Sequence, residues 1–138
     1  MKGDTTVKID KNKPKDKVEY CYDRVDESFL TQMESIVGVK LGKQLKEYIL
    51  KYGFMARGHI EMLGVTNAQK ADSDMIQRTL RLHEQFDVTK GLVAIEDCGD
   101  GEFYLVDSND DVYRFVAGNN ELAAMDIKLD WYIIKRFI

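Results

Sequence analysis

The chain has 138 residues, of which 44% are hydrophobic and 32% charged, as expected for one folded domain and not for a disordered protein. No apolar run approaches the roughly 18 residues of a membrane-spanning helix. The N-terminus lacks the apolar stretch of a secretory signal, so we expect a soluble cytoplasmic protein that makes no membrane contact. In that compartment, Cys21 and Cys98 are expected to be free thiols.

The charge is unevenly distributed along the chain. Residues 1–17 contain six Lys and three Asp, and we predict that they form a flexible basic tail. Residues 18–138 are predicted to form a single domain. This domain carries −7, because the tail contributes +3 to a total of −4. An acidic body repels nucleic acid and favours basic protein partners.

Three helices are predicted in the first two thirds of the domain. Asp26 is a suitable N-cap for the first helix, and Gly38 can end it in a left-handed conformation. The second helix is predicted over residues 42–52. The third spans 73–86, with Ser73 as its cap and an apolar stripe at the helical period.

Short apolar runs separated by turns predict strands in the remainder. Residues 59–64 alternate enough for a short strand, and Asp100-Gly101 between two apolar runs is a strong hairpin signal. The strands of the resulting meander are predicted at 92–95, 103–106 and 112–116. Residues 121–138 indicate one or two helices, with a terminal strand as the alternative. The predicted class is α+β, a mixed, largely antiparallel sheet wrapped by helices.

No residue pattern predicts catalysis, a cofactor or a metal site. Glu96, Asp97 and Asp100 surround Cys98 and should raise its pKa, which is the opposite of what a nucleophilic thiol requires. Glu96, Asp97, Asp100 and Glu102 could in principle act as acid and base, as in glycoside hydrolysis, but carboxylates in turns are usually solvated and titrate normally. Residues 107–111 begin like a calcium loop, yet they lack its later glycine and acidic ligand, so an acidic β-turn is the simpler interpretation.

Acidic residues are concentrated in the predicted meander. No Lys or Arg lies between Gly91 and Tyr113. One interpretation is that these polar turns only keep the strands soluble; the other is a negative border that attracts a basic protein. From charge alone, the candidate partner-binding residues are Glu96, Asp97, Asp100, Glu102, Asp107, Asp110 and Asp111.

The order of these segments resembles the SUKH superfamily, whose cell-wall-assembly-regulator-like domains are common as bacterial immunity proteins. The resemblance covers roughly residues 26–138. The matching segments are Phe29-Leu30 with Met33-Glu34, Leu41 to Gly53, Thr79-Leu80-Arg81, Gly91 to Gly101, Phe103 to Asp107, and Asp111-Val112-Tyr113.

This resemblance implies a non-enzymatic immunity protein, an antitoxin in bacterial competition, that binds and neutralises a cognate toxin domain such as a basic nuclease-type effector. Its expected oligomeric state is a monomer or a weak homodimer. Two alternatives remain open: a non-catalytic scaffold or regulatory domain in a protein complex, and a small hydrolase or metal-dependent enzyme.

Overall fold

A computed structural model describes residues 18–20, 25–65 and 73–138 of the chain. The predicted basic tail (1–17) and Cys21 lie outside the described residues. Four helices are present in these ranges, and their bounds are α1 Glu27–Val37, α2 Lys43–Lys51, α3 Asp74–Gln85 and α4 Leu129–Phe137.

The ends of α1 follow directly from its flanking residues. The Asp26 carboxylate accepts a hydrogen bond from the Phe29 amide at 3.2 Å, which satisfies a free N–H of the first turn. Gly38 ends the helix at φ 70°, where a side chain would be strained. Both predicted ends are therefore confirmed. Ser73 occupies the predicted N-cap position of α3, but its side chain makes no capping bond and its Oγ is buried without a partner in the described part of the chain.

The described strands form two antiparallel sheets, which confirms the α+β class but divides the predicted single sheet into two. The smaller sheet has the order β1-β2-β3, and the larger is the meander β4-β5-β6-β7. The strands are β1 Val18–Tyr20, β2 Met55–Arg57, β3 Ile60–Glu61, β4 Val93–Gly99, β5 Glu102–Val106, β6 Asp111–Val116 and β7 Glu121–Lys128.

The predicted meander is present and is extended by one strand. Asp100 (φ 56°) and Gly101 (φ 77°) both have positive φ, as a two-residue type I′ turn requires. The helix predicted after residue 120 is wrong for residues 121–128, which pair with β6 from Glu121 to Lys128. It is correct from Leu129 onward, where α4 begins.

The strand predicted at 59–64 is shorter than expected and belongs to a hairpin. Only Ile60–Glu61 pairs, and its partner is β2, which the sequence did not predict. After this hairpin the Leu63 amide donates to the Ile95 carbonyl at 2.8 Å, a bond that connects the smaller sheet to β4.

The core lies between the helices and the two sheets. Helix α3 packs on β4 and contacts α1, while α4 packs against α2, β2, β6 and β7. The largest fully buried side chains include Tyr48, Phe115, Phe137, Met33 and Leu45. This packing brings α3, α4 and the end of β4 together around one cleft.

Candidate functional site

A polar cleft of about 520 Å³ lies in the surface of the described chain. Four segments line it: residues 59–63 around β3, the first half of α3, the end of β4, and Arg136 near the end of α4. Two internal ion pairs form its wall, and further carboxylates lie at its mouth.

The first ion pair is centred on Glu96, which is only 3% exposed. Arg136 donates to Glu96 through Nε (3.0 Å) and through Nη2, and the Tyr132 hydroxyl donates to the same carboxylate. Burial, together with the charge and hydrogen bond of Glu96, raises the pKa of Tyr132 well above its usual value. This network fixes the last turn of α4 to β4.

A β-bulge explains why an acidic residue of β4 is buried. Between Ala94 and Glu96 the strand contains one more residue than its partner β5, and Ile95 is the unpaired residue. A bulge changes the alternation of side chains between the two faces of a strand. Residues 93–96 are consequently all buried.

The second ion pair joins α3 to the end of β4. Arg78 donates to the Asp97 carboxylate, and both side chains are about one quarter exposed, at 28% and 25%. The other Asp97 oxygen accepts from the Gly99 amide at 2.9 Å. Asp97 therefore shapes the hairpin turn as well as the wall of the cleft.

Cys98 lies on the rim of the cleft as an exposed, free thiol. Partial desolvation, and then the negative charges of Glu96 and Glu102, raise the pKa of the Cys98 thiol to about 12. The sequence predicted this direction from the acidic neighbours. A thiol with such a pKa is a poor nucleophile at neutral pH.

Two carboxylates at the cleft are exposed and form no hydrogen bond or ion pair within the described chain. These are Glu61 on β3 and Asp74 in the first turn of α3, with the exposed His59 beside them. The lining carries four carboxylates and two arginines, so its net charge is negative.

The outer acidic residues of the meander are largely engaged by partners within the meander itself. Arg114 donates to Glu102 at 2.6 Å, and Lys128 lies 3.0 Å from Asp111. Asp107 accepts from two turn amides and from the Tyr113 hydroxyl. Of the seven predicted residues, only Asp100 is exposed and has no partner among the described residues.

Asp110 is a buried structural residue, 5% exposed, and it caps a helix 66 positions away in sequence. Its carboxylate accepts from the amides of Gln44 (2.9 Å) and Leu45 (3.1 Å) at the start of α2. Gly42, the N-cap position, has no side chain to do this. A Cβ on Gly42 would lie 2.3 Å from the carboxylate, so glycine is required for the close approach.

The set of candidate partner-binding residues therefore changes. Glu96 and Asp110 are not available to a partner, because their carboxylates are buried and occupied. The sequence analysis missed the residues that complete the cleft, which are Glu61, Asp74, Arg78 and Arg136. For Arg78 a signal existed, since it lies four positions from Asp74 on a predicted helix and thus on the same face. No local signal connects Arg136 to Glu96.

A separate apolar feature lies on α4. Trp131 (50% exposed), Ile134 (47%) and Ile138 (69%) recur at i, i+3 and i+7, which places them on one side of the helix. Scattered exposed apolar residues are normal, but three large ones along one helix face form a patch suited to protein contact.

Within residues 18–20, 25–65 and 73–138, no group of three or more His, Cys, Asp or Glu side chains could hold a metal ion. The turn that begins like a calcium loop uses Asp107 to bond its own backbone. None of the described helices has the length and apolar character needed to cross a membrane.

Comparison with known families gives one match. Residues 7–128 match the family model SUKH_5, described as SMI1-KNR4 cell-wall. The matched range ends at the last residue of β7, so α4 lies beyond it. No curated protein matches the chain significantly.

Proposed function

The chain belongs to the SMI1-KNR4 cell-wall family of the SUKH superfamily, and on this basis we propose that it is an immunity protein that binds and neutralises a cognate toxin domain. It acts by occupying the toxin surface and not by catalysis. The family is consistent with an immunity-like or regulatory role.

One observation supports a particular contact face. Glu61 and Asp74 at the cleft, with Asp100 on the β4–β5 hairpin, are exposed carboxylates without partners in the described chain. Unpaired surface carboxylates attract a basic protein and accelerate its association. The ion-paired Asp97 and Glu102 contribute less, because Arg78 and Arg114 offset their charges.

The direct test is coexpression of the full chain with the product of the adjacent gene. We expect growth to be restored and the two proteins to copurify. If the adjacent product is not toxic, or if it is toxic and the chain neither rescues growth nor binds it, the proposal is overturned.

The charge contribution is tested by association kinetics. Glu61→Gln, Asp74→Asn and Asp100→Asn together should slow association with the toxin about tenfold at low ionic strength and less at high salt. Asn suits position 100 because it tolerates positive φ. The matched control removes three exposed helix carboxylates, Glu27→Gln, Glu47→Gln and Glu84→Gln. Equal association rates for both triple variants would refute the proposed contact face.

A second candidate function is supported by the apolar face of α4. Trp131, Ile134 and Ile138 are the kind of anchors that a scaffold or regulatory domain uses in a lasting complex, because large apolar side chains dominate such interfaces. In that case, Trp131→Ala should abolish copurification with the protein complex to which the domain belongs. It should leave rescue of growth from the toxin unchanged.

A further inference from the structure

A second, more apolar depression lies next to the polar cleft. This depression has a volume of about 320 Å³. Ile60 and Arg136 line both, so the two are adjacent at β3 and the end of α4, and together they are called the groove. The groove therefore has two ends of different chemistry.

The polar end is built to receive a cation. Arg78 and Arg136 are engaged by Asp97 and Glu96, which leaves Glu61 and Asp74 as the charges that are not compensated. A guanidinium or ammonium group between these carboxylates would give each one a partner. An anionic group would meet the same carboxylates without a free cation on this part of the lining, because both arginines are occupied.

The apolar end is built to receive a hydrophobic side chain. Its lining includes Tyr104, Met125, Ile127 and Tyr132, and Met125 is 37% exposed. Methionine adapts its shape to different apolar partners, and aromatic rings provide broad contact surfaces. Lys135 lies at the margin of this end, where its ammonium can donate to backbone carbonyls of a bound segment.

We propose that this groove binds a protein segment in which an Arg or Lys lies beside an apolar residue, with the cation at Glu61 and Asp74 and the apolar side chain at Met125 and Tyr104. The inference rests on the proposed function in one respect, that the ligand is a protein. It adds the chemistry of the segment that is recognised.

The test uses the isolated full chain and amide chemical shifts in ¹⁵N-labelled protein. The probe is the pentapeptide acetyl-Leu-Gly-Arg-Gly-Leu-amide. Each leucine lies two positions from the arginine, so the three side chains lie beside one another on one face of an extended segment. We expect saturable shifts at millimolar concentration that map to Glu61, Arg78 and Met125. Replacing the arginine of the peptide by glutamate should abolish them, and replacing both leucines by glycine should remove those at Met125.

Variants distinguish specific binding in the groove from nonspecific attraction of a cationic peptide to an acidic protein. Glu61→Gln with Asp74→Asn should weaken the peptide about fivefold, since an exposed ion pair contributes up to about 1 kcal/mol. Glu47→Gln with Glu84→Gln changes the net charge equally, away from the groove, and should have no effect. Equal weakening by both pairs, shifts that map elsewhere, or no shifts would overturn the inference. Toxin rescue by the unaltered chain is measured independently, so failure of the groove and failure of the immunity role are distinguishable.

Discussion

At the scale of single residues, a segment that is strongly acidic in the sequence is largely neutralised by cations in the folded protein. The 91–113 stretch contains seven acidic residues and no cation, yet the fold brings Arg78, Arg114, Lys128 and Arg136 to it. These cations come from α3, β6, β7 and α4. Local composition could predict the acidic residues but not their partners, because the pairing depends on contacts between distant elements.

The buried ion pair gives the clearest prediction at this scale. Glu96→Gln removes the charge that compensates Arg136 and weakens the bond from Tyr132, so we expect the free energy of unfolding to fall by about 2 to 3 kcal/mol. The expected loss is smaller than for a fully buried ion pair, because the Arg136 side chain is 32% exposed. Urea unfolding measures the change.

The matched control is Glu102→Gln, which removes the more exposed pair with Arg114. It should cost less than about 1 kcal/mol. Equal losses for the two variants would contradict the structural role of Glu96.

The Cys98 thiol predicts a specific pH dependence of alkylation. Its pKa is raised to about 12, so the thiolate is scarce at neutral pH. In a Cys21→Ser background, iodoacetamide should modify the folded chain much more slowly at pH 8 than the urea-unfolded chain, whose thiol titrates near its ordinary value of about 8.5. The folded rate should keep rising toward pH 12. A plateau near pH 9 would show that burial and the neighbouring carboxylates do not raise the pKa of the thiol.

The raised pKa of Cys98 also makes the stability of the folded chain depend on pH. A folded-state pKa above the unfolded value favours the protonated thiol in the folded chain. The contribution of Cys98 is therefore complete below about pH 8.5 and is lost as the pH rises through about 12.

At the scale of elements, the start of α2 depends on Asp110, a residue of the turn between β5 and β6. Gly42→Ala would place a Cβ 2.3 Å from the Asp110 carboxylate and displace it from the amides of Gln44 and Leu45. We expect a loss of about 2 kcal/mol in the free energy of unfolding, which combines overpacking with loss of the cap. Thermal or urea unfolding measures it.

Gly118→Ala is the control, because no described residue other than its two chain neighbours has an atom within 4 Å of the place that the new methyl group would take. It should change stability little. The Gly42→Ala/Asp110→Ala double variant should cost less than the sum of the single changes, since both act on one interaction. Strict additivity would argue against the cap.

Helices α1 to α3 and the first three meander strands were predictable because each carries its own period and its own turn residues. Strand β7 was not, because most of its residues are exposed and Ala, Leu and Glu favour helices. It is a strand because β6 offers a free edge. The same limit applies to the site. The cleft joins four segments, and only α3 was predicted with adequate bounds. Strand β4 was predicted at 92–95, whereas its cleft-lining residues lie in the continuation to Gly99.

At the scale of the whole molecule, two buried tyrosines predict the response to alkali. Burial raises the pKa of Tyr48 and of Tyr132 well above the ordinary value of about 10, so the folded chain retains protons that the unfolded chain releases. Their stabilising contribution is complete below pH 10 and decreases above it, by about 1.4 kcal/mol per pH unit for each tyrosine.

Tyr48→Phe tests this dependence. The variant loses the hydrogen bond to the Leu63 carbonyl, so it should be less stable at pH 7 by about 1 kcal/mol. Above pH 10, however, its stability should decrease less steeply than that of the unaltered chain. Parallel curves of unfolding free energy against pH would contradict the assignment.

The irregular geometry of β7 affects whether two copies of this protein can pair through the edges of their sheets. Between the pairs Tyr113↔Ala124 and Asp111↔Lys128, β7 contains two more residues than β6, and Asp126 there has φ 61°. An outer strand interrupted in this way cannot align a long row of free amides and carbonyls with a second copy. Copies of this chain at high concentration should therefore resist edge-to-edge sheet pairing, the contact from which fibrils grow.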